Sequence, residues 1–236
     1  MTQLTLQGIT KSFGEKQVLK GADFAFEKGK IYGLLGRNGA GKTTLFNCLS
    51  GETPPDGGQA LLVDEAGARP LQEGDVGYVF STPILPEFLT GYEFVKFFMD
   101  INREKIHSSM GIDDYFDLIR FAPEDRHRLI KNYSHGMKNK VQMLCFIIAK
   151  PPVILLDEPL TSFDVVVALE MKNLLREMKD EHIIVFSTHI LQLATDLCDE
   201  IVLLTGGELE PVDASIIHSR EFEDRVVELL KEEGHD

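Results

Sequence analysis

The sequence contains few cysteines. Its 236 residues include three, Cys48, Cys145 and Cys198, which are widely spaced in apolar, helix-like segments. An odd number at such spacing is not typical of a disulfide framework, nor of the closely spaced cysteine pairs of a zinc site. We therefore expect three reduced thiols buried in the interior.

The sequence also lacks a long hydrophobic run. No apolar stretch approaches the roughly 20 residues that a membrane-spanning helix requires. Residues 1–8 have neither the basic start nor the apolar stretch of a signal peptide, so we expect a cytoplasmic chain. With 43% hydrophobic residues the chain can bury a core, and its length suits one domain or two closely packed lobes.

Basic residues are scarce compared with acidic ones. Lys and Arg together number 24 against 38 Asp and Glu, which gives a formal net charge of -14. Because nucleic acids and anionic lipids attract clusters of positive charge, we expect no nucleic-acid partner. One basic cluster is an exception, and we interpret it as a solvated helical face rather than a binding patch. The cluster consists of Arg126, Arg128, Lys131, Lys138 and Lys140.

Hydrophobic periodicity changes along the chain. Apolar residues alternate with polar ones over residues 4–6 and 22–26, which predicts an antiparallel β flap. Two further strands are predicted over residues 59–63 and 76–80. From residue 86 to residue 149 the apolar spacing is mostly three and four, which predicts a helical subdomain. Breaks in this helical pattern fall at Gly91, Gly111, Pro123 and Ser134.

The strand pattern returns after residue 150. Residues 153–156 and 183–186 are short apolar runs, each followed by helical spacing, as is typical of buried parallel strands. Ligands of such sheets bind beyond the carboxyl ends of the strands, where Asp157, Glu158 and His189 would lie. Nearer the end of the chain, an apolar stripe among acidic residues predicts an amphipathic terminal helix. That stripe consists of Phe222, Val226, Leu229 and Leu230.

The most informative segment spans residues 30–49, KIYGLLGRNGAGKTTLFNCL. It contains the pattern G-x-x-x-x-G-K-[ST] between a strand-like run and a helix-like run, which is the setting of a phosphate-binding P-loop. Its glycines let the backbone turn so that amide groups and the helix N-terminus face the phosphates. We expect a bound nucleoside triphosphate, contacted by Gly36, Arg37, Asn38, Gly39, Ala40, Gly41, Lys42, Thr43 and Thr44.

Two residues of this loop and two carboxylates that follow the strand of residues 153–156 supply the chemistry of a P-loop NTPase. Lys42 would reach the β and γ phosphates, and Thr43 would place its hydroxyl on the bridging Mg²⁺. Asp157 would hold the same Mg²⁺ through water. Glu158 would polarise or orient the water that attacks the γ-phosphate in line. The sequence therefore predicts Mg²⁺-dependent hydrolysis.

Three further motifs follow in order, namely YSHGM at residues 133–137, LTSFD at residues 160–164 and STH at residues 187–189. With these motifs the chain resembles, over essentially its whole length, the nucleotide-binding domain of ABC transporters. The resemblance implies an α/β fold, in which a P-loop NTPase core with a mixed, mainly parallel sheet carries an antiparallel β flap and an inserted helical subdomain.

The same resemblance implies a single ATP-binding domain over residues 1–236. A RecA-like core with the β flap would occupy residues 1–85 and 150–236. The helical subdomain, which carries the signature loop YSHGM, would occupy residues 86–149.

The resemblance also implies roles for individual residues. Ser134 and Gly136 would contact the γ-phosphate held by the other subunit, so that two ATP molecules are sandwiched in a head-to-tail dimer. Asp164 would belong to the D-loop, and His189 would be the switch histidine that hydrogen-bonds the γ-phosphate. Phe13 would stack on adenine. Ordinary alternatives remain open: a helix cap for Ser134 and a packed core aromatic for Phe13.

Two positions depart from the family pattern. Ser81 stands where the family has a glutamine that senses Mg²⁺, and a serine hydroxyl falls roughly 2 to 3 Å short of that amide. Ser81 remains a candidate metal contact with altered metal affinity or coupling. His135 stands where the signature loop usually has glycine, so a side chain would occupy space close to the partner's phosphate.

The resulting hypothesis is an ATP-hydrolysing subunit that uses ATP and Mg²⁺ and dimerises with a second copy or a related subunit. It would power a transmembrane permease on another chain and lie at the cytoplasmic face of the membrane through that partner. The sequence YSHGMKNK is more similar to the exporter-associated branch than to importers. Two alternatives remain: a regulatory nucleotide-binding subunit with little turnover, and a soluble ABC ATPase acting on nucleic acid or the ribosome.

Overall fold

The computed structural model describes residues 2–104, 106, 108–159, 165–213 and 222. The LTSFD segment with Asp164, and all of the predicted terminal helix except Phe222, lie outside these residues. The strands are β1 Gln3–Phe13, β2 Lys16–Glu27, β3 Ile31–Leu35, β4 Gly57–Asp64, β5 Gly67–Pro70, β6 Val76–Val79, β7 Val153–Asp157, β8 Ile183–Thr188, β9 Glu200–Thr205 and β10 Glu208–Pro211.

The helices lie mainly between β6 and β9. They are α1 Lys42–Ser50, α2 Gly91–Ile101, α3 Ile112–Leu118, α4 Pro123–Arg126, α5 His135–Ala149, α6 Val165–Met178 and α7 Leu191–Leu197, with 3-10 turns at Ile130–Asn132 and Lys179–Glu181.

Antiparallel strands near the start of the chain form the β flap. Its order is β2-β1-β4-β5, and each neighbouring pair is antiparallel. Leu4 and Leu6 alternate with less buried neighbours along β1, Ile9 follows an irregularity in the pairing with β2, and all three are buried in the main core. The predicted antiparallel flap is confirmed. The short strand β5 was not predicted, because the sequence GARP is mostly exposed and carries no apolar alternation.

A second, mainly parallel sheet forms the centre of the molecule, in the order β10-β9-β3-β8-β7-β6. Strands β3, β7 and β8 are parallel and buried along their whole length. Leu155 and Leu156 of β7 face opposite clusters, one shared with the flap and α1, the other with α6. Because both faces are covered, the strands read as continuous apolar runs, as predicted.

The helices between residues 91 and 149 pack around a core of their own. That core includes Val95 of α2, Phe116 of α3 and Val141 and Leu144 of α5. The predicted breaks in the helical pattern all mark the beginning of a helix. Gly91 and Pro123 are the first residues of α2 and α4, whereas Gly111 and Ser134 are the N-caps of α3 and α5.

The basic cluster is only partly a solvated face. Arg126 is buried and donates to the carboxylates of Asp113 and Asp117. Lys138 and Lys140 are also largely covered and lie in ion pairs at 2.6 and 2.8 Å. The interpretation of a solvated face is therefore wrong for Arg126, whose charge compensates acidic side chains within the fold.

The three cysteines are free thiols, as expected from the sequence. Cys48 and Cys145 are buried free thiols, and Cys198 is a partly buried one. Burial raises the pKa of Cys145 to about 12, so this thiol stays protonated at neutral pH. Within the described ranges, no helix combines the length and the apolar character that a membrane crossing demands.

His182 is a buried histidine at the start of β8. Its side chain is only 3% exposed, and its Nδ1–H donates to the carbonyl oxygen of Pro151 at 2.6 Å. Burial lowers the pKa of His182 below its ordinary value, because the imidazolium would lose its hydration there. The folded protein therefore holds this imidazole neutral where the unfolded chain binds a proton.

We expect this histidine to make the free energy of unfolding depend on pH. Its contribution is fully present above the unfolded pKa of about 6.5 and is lost as the pH falls toward the lower folded pKa. Urea unfolding between pH 5 and pH 8 should show a shallower pH dependence for His182→Asn than for the unsubstituted chain. His127→Asn, at an exposed histidine, controls for the loss of an imidazole. Equal slopes for His182→Asn and the parent would contradict this account.

Candidate nucleotide-binding site

The loop between β3 and α1 requires glycine at several positions. A Cβ atom at Gly36 would lie 2.9 Å from the backbone oxygen of Leu204, and one at Gly41 would lie 2.8 Å from Val18 Cγ1. Gly39 and Gly41 also have positive φ values of 85° and 107°, which side chains rarely tolerate. Close packing and backbone conformation together explain why this loop is glycine-rich.

Lys42 lies inside this loop. It is only 6% exposed, and its Nζ donates to the carbonyl oxygens of Gly36 at 2.7 Å and Arg37 at 3.0 Å. Burial lowers the pKa of Lys42, while Glu158 and Asp157 act in the opposite direction. No side chain caps the N-terminus of α1, so its first backbone N–H groups remain available to a ligand. These donors and the Lys42 ammonium group lie at the same loop, which suits an anion.

Asp157 joins three elements at the end of β7. It is 4% exposed; its Oδ2 accepts from the Thr43 hydroxyl at 2.7 Å, and its Oδ1 accepts from the Ser187 hydroxyl at 2.5 Å. A carboxylate and a hydroxyl at this distance are the hard oxygen donors that suit Mg²⁺. No group of three or more His, Cys, Asp and Glu residues in the described part of the chain could hold a metal. The oxygen donors of Asp157 and Thr43 would fit Mg²⁺ whose other ligands come from phosphate and water.

Glu158 follows Asp157 in an uncommon backbone conformation. Its φ is 48°, a strained value for a non-glycine residue that persists only because surrounding contacts hold the backbone in place. Its N–H donates to the Ser187 hydroxyl at 3.0 Å, and its Oε1 lies 2.9 Å from His189 Nδ1. The chain thus fixes this carboxylate through both its backbone and its side chain.

A cleft of about 290 Å³ brings these groups together. Ser81, exposed in the bend after β6, lies in the same cleft as Lys42, Thr43, Asp157 and Glu158. The complete lining is Val18, Asn38, Gly39, Gly41, Lys42, Thr43, Thr44, Ser81, Asp157 and Glu158. Residues distant in sequence that were predicted as P-loop, metal and catalytic groups therefore share one space. Gly36, Arg37 and Ala40 belong to the loop without lining this cleft, and the predicted catalytic residue His189 does not line it either.

Other predicted residues lie away from the cleft. Phe13, at the end of β1, is 55% exposed, so it is not the packed core aromatic of the alternative interpretation. Ser134 and Gly136, at the start of α5, are not among the residues that line the cleft. The Ser134 hydroxyl accepts from the Met137 N–H at 3.2 Å, which is a helix cap. The His135 Nδ1 lies 3.2 Å from the amide nitrogen of Asn139, so this side chain turns back along α5.

Sequence reasoning gave no role to Ser187, although it recognised the STH motif. The Ser187 hydroxyl connects Asp157 and the backbone of Glu158, and its side chain is fully buried. The sequence predicts that Asp157 and Ser187 follow two buried strands, but only the structure shows that they occupy the same register of β7 and β8. Side chains at matching ends of neighbouring parallel strands meet.

Comparisons with known proteins agree with this geometry. The family described as ABC transporter matches residues 19–161 of this chain. An uncharacterized ABC transporter ATP-binding protein, YxlF of Bacillus subtilis, is 29% identical over 211 residues, covering 87% of this chain and 69% of the relative. The similar uncharacterized protein all4389 of Nostoc is 36% identical, and the match covers 81% of this chain and 58% of the relative. MJ1023 of Methanocaldococcus jannaschii is 30% identical, and the match covers 87% of this chain and 75% of the relative. The chain thus spans between 58% and 75% of the length of these relatives.

Two solved structures share the fold. An ATP-binding subunit of an ABC transporter superposes with a TM-score of 0.80 at 24% identity, covering 97% of this chain and 99% of that one. The dimeric ATP-binding cassette MJ0796, bound to ADP and Pi in a post-hydrolysis state, gives a TM-score of 0.72 at 21% identity, covering 89% and 99%. Since the family matches well over half of the sequence and the fold is that of ATP-binding cassettes, this chain belongs to the ABC transporter family.

Proposed function

We propose that this chain is an ATP-binding and ATP-hydrolysing subunit of an ABC transporter. The observation that carries the proposal is the single cleft in which the P-loop lysine, a carboxylate paired with a hydroxyl, and a second, positioned carboxylate meet. Positioning and electrostatic stabilisation are what phosphoryl transfer to water requires from a protein.

In this proposal each group has one task. Lys42 and the loop amides bind the β and γ phosphates, replacing the carbonyl contacts that Lys42 makes in the free chain. Thr43 and Asp157 would hold Mg²⁺, which when bound neutralises charge on the phosphates. Glu158 accepts a hydrogen bond from the attacking water and orients it. His189 donates to the γ-phosphate in place of the Glu158 carboxylate that its Nδ1 contacts in the free chain.

The active form would be a dimer. Ser134 and Gly136 would contact the γ-phosphate bound by a partner copy or a related subunit, and Asp164 of the D-loop would also contribute to nucleotide binding. Support comes from the position of the first two outside the chain's own cleft, at the N-terminal end of a long helix whose amides favour an anion. The cassette MJ0796, which is similar in fold, is dimeric in its ADP- and Pi-bound form.

The membrane partner would bind the helical region. Large apolar side chains are exposed there, notably Ile84 at 70% and Phe88 at 78% in the segment that follows Ser81, and Phe97 and Ile101 on α2. Exposed apolar groups of this size mark interaction surfaces. We propose that a permease on another chain covers them, which would hold this chain at the cytoplasmic face of the membrane.

The same proposal assigns residues 1–236 to one ATP-binding domain. The core and flap would come from residues 1–85 and 150–236, with the helical subdomain of residues 86–149 between them. The export direction rests on the sequence YSHGMKNK alone.

The test is steady-state ATP hydrolysis by the purified chain with Mg²⁺ over a series of protein concentrations. We expect the rate to rise with the square of the protein concentration at low concentration, because two copies complete each site. Lys42→Ala, which removes the cation that binds the phosphates, is the blank. A rate proportional to the first power of concentration would contradict the dimeric site, and ATP binding without turnover would favour the regulatory alternative.

Glu158→Gln should separate binding from hydrolysis. The amide keeps the shape of the side chain but cannot accept a proton from water, so turnover should fall by about 100-fold or more while ATP affinity changes little. Size-exclusion chromatography with Mg²⁺ and ATP should show a trapped dimer. Glu181→Gln, at an exposed glutamate paired with Lys150 outside the cleft, is the matched control. Normal hydrolysis by Glu158→Gln would remove this residue from the mechanism.

Ser81→Gln should change the dependence on Mg²⁺. Ser81 lines the cleft with Asp157, and an amide side chain reaches farther toward the metal position than a hydroxyl. We expect the Mg²⁺ concentration for half-maximal ATPase activity to fall by roughly threefold or more. Ser81→Ala measures what the native hydroxyl contributes. An unchanged Mg²⁺ requirement in Ser81→Gln would show that this position does not contact the metal site.

A further inference from the structure

Lys11 and Phe13 lie on the same face of β1, two residues apart, at the exposed end of the β1–β2 hairpin. The Lys11 Nζ is 5.6 Å from the centroid of the Phe13 ring, so a cation covers one ring face. The Phe13 side chain is 55% exposed, which leaves ring surface free for another flat group.

Lys11 is held by the turn that follows α1. Although it is a lysine, it is only 9% exposed, and its Nζ donates to the Pro54 carbonyl at 2.8 Å and to Asp56 Oδ1 at 2.9 Å. The second oxygen of Asp56 accepts from the Ser12 N–H at 2.6 Å. The Asp56 N–H donates to the Thr10 carbonyl at 2.8 Å. Asp56 thereby binds three consecutive residues of β1 just before Phe13.

This contact connects the hairpin to the phosphate site. Helix α1 begins at Lys42 of the P-loop and ends at Ser50, six residues before Asp56. On the other strand of the hairpin, Val18 lines the nucleotide cleft and packs directly against Gly41. The hairpin is therefore fixed to the P-loop at two points, one beside the phosphates and one behind the Phe13 ring.

We propose that Asp56, acting through Lys11 and Ser12, is a positioning residue that aligns Phe13 with the adenine base of the bound nucleotide. The inference rests on the proposed function and on the stacking of Phe13 on adenine that the resemblance to ABC transporter domains implies. Lys11 occupies one face of the ring and Asp56 fixes the strand that carries it, so the base stacks on the remaining face at a set distance from the P-loop. Both carboxylate oxygens of Asp56 accept hydrogen bonds, one from Lys11 and one from Ser12. Alanine has no acceptor and asparagine has only one acceptor oxygen, so neither side chain can accept both bonds.

Two ligands separate base recognition from phosphate binding. Mg-ATP carries the base, and inorganic triphosphate with Mg²⁺ carries only the phosphates. The dissociation constants of both are measured by calorimetry for the parent chain, Asp56→Ala, Asp56→Asn and Lys11→Met. Glu181→Gln, which breaks the exposed Lys150–Glu181 ion pair at 2.7 Å, is the matched control for loss of a surface ion pair.

The sequence also permits a local optical probe. It contains no tryptophan, so Phe13→Trp introduces a single indole at the stacking position. Stacking of adenine on this indole should quench its fluorescence, whereas triphosphate should not. The Asp56 substitutions are then repeated in the Phe13→Trp background, and thermal unfolding of each variant confirms that it is folded. If Asp56→Ala does not fold, Asp56→Asn carries the test.

We expect the Asp56 and Lys11 variants to bind Mg-ATP roughly fivefold to tenfold more weakly, since a base–aromatic stack is worth about that much or more. Their affinity for triphosphate should stay within about twofold of the parent. Adenine quenching should be reduced in the Asp56 variants, and the Glu181→Gln control should match the parent in every measurement.

Four results would overturn the proposal or the function on which it rests. Unchanged ATP affinity and quenching in the Asp56 variants would show that the contact does not position the ring. Equal loss of ATP and triphosphate affinity would show a general structural effect on the P-loop. If Phe13→Trp binds ATP without any fluorescence change, the stacking role of Phe13 fails, and if the parent binds neither ligand, the proposed function fails.

Discussion

Asp157 places a carboxylate at the end of a strand that is buried on both faces, and a charge in such a position requires donors. Here the donors are two hydroxyls, one on α1 and one on β8. These bonds join the helix after the P-loop to two central strands. The same Ser187 hydroxyl accepts from the backbone of Glu158, so the arrangement of one carboxylate fixes the position of the next. The positions of Thr43, Asp157 and Glu158 in the cleft therefore depend on these hydrogen bonds.

Close backbone packing sets the shape of the cleft around these charges. Gly36 and Gly41 leave no room for a side chain, because Leu204 and Val18 already occupy the space. The β flap is thus seated directly on the P-loop rather than attached through a flexible loop. A core that packs at crystal-like density transmits position over such contacts, which is why the hairpin tip with Phe13 can have a defined relation to the phosphate site.

Polar and charged side chains of the helical region make contacts within the chain. Ser134 caps α5, and His135 turns toward Asn139, so the extra side chain in the signature loop has a local contact. Arg126 forms ion pairs with two carboxylates of its own region instead of presenting a basic surface. With most of this cluster compensated internally, the exposed features of the region are its large apolar side chains.

The sequence by itself determined the elements whose signal is local. Glycine spacing predicted the P-loop, apolar runs predicted the buried parallel strands, and alternation predicted the antiparallel flap. Tertiary structure alone decided what lies between distant segments: the Ser187 connection to Asp157, the contact of Asp56 with Lys11, and the burial of Arg126. The physical reason is that backbone conformation and periodicity are set by neighbouring residues, whereas hydrogen bonds and ion pairs across 13 to 45 residues of separation depend on how the finished elements pack.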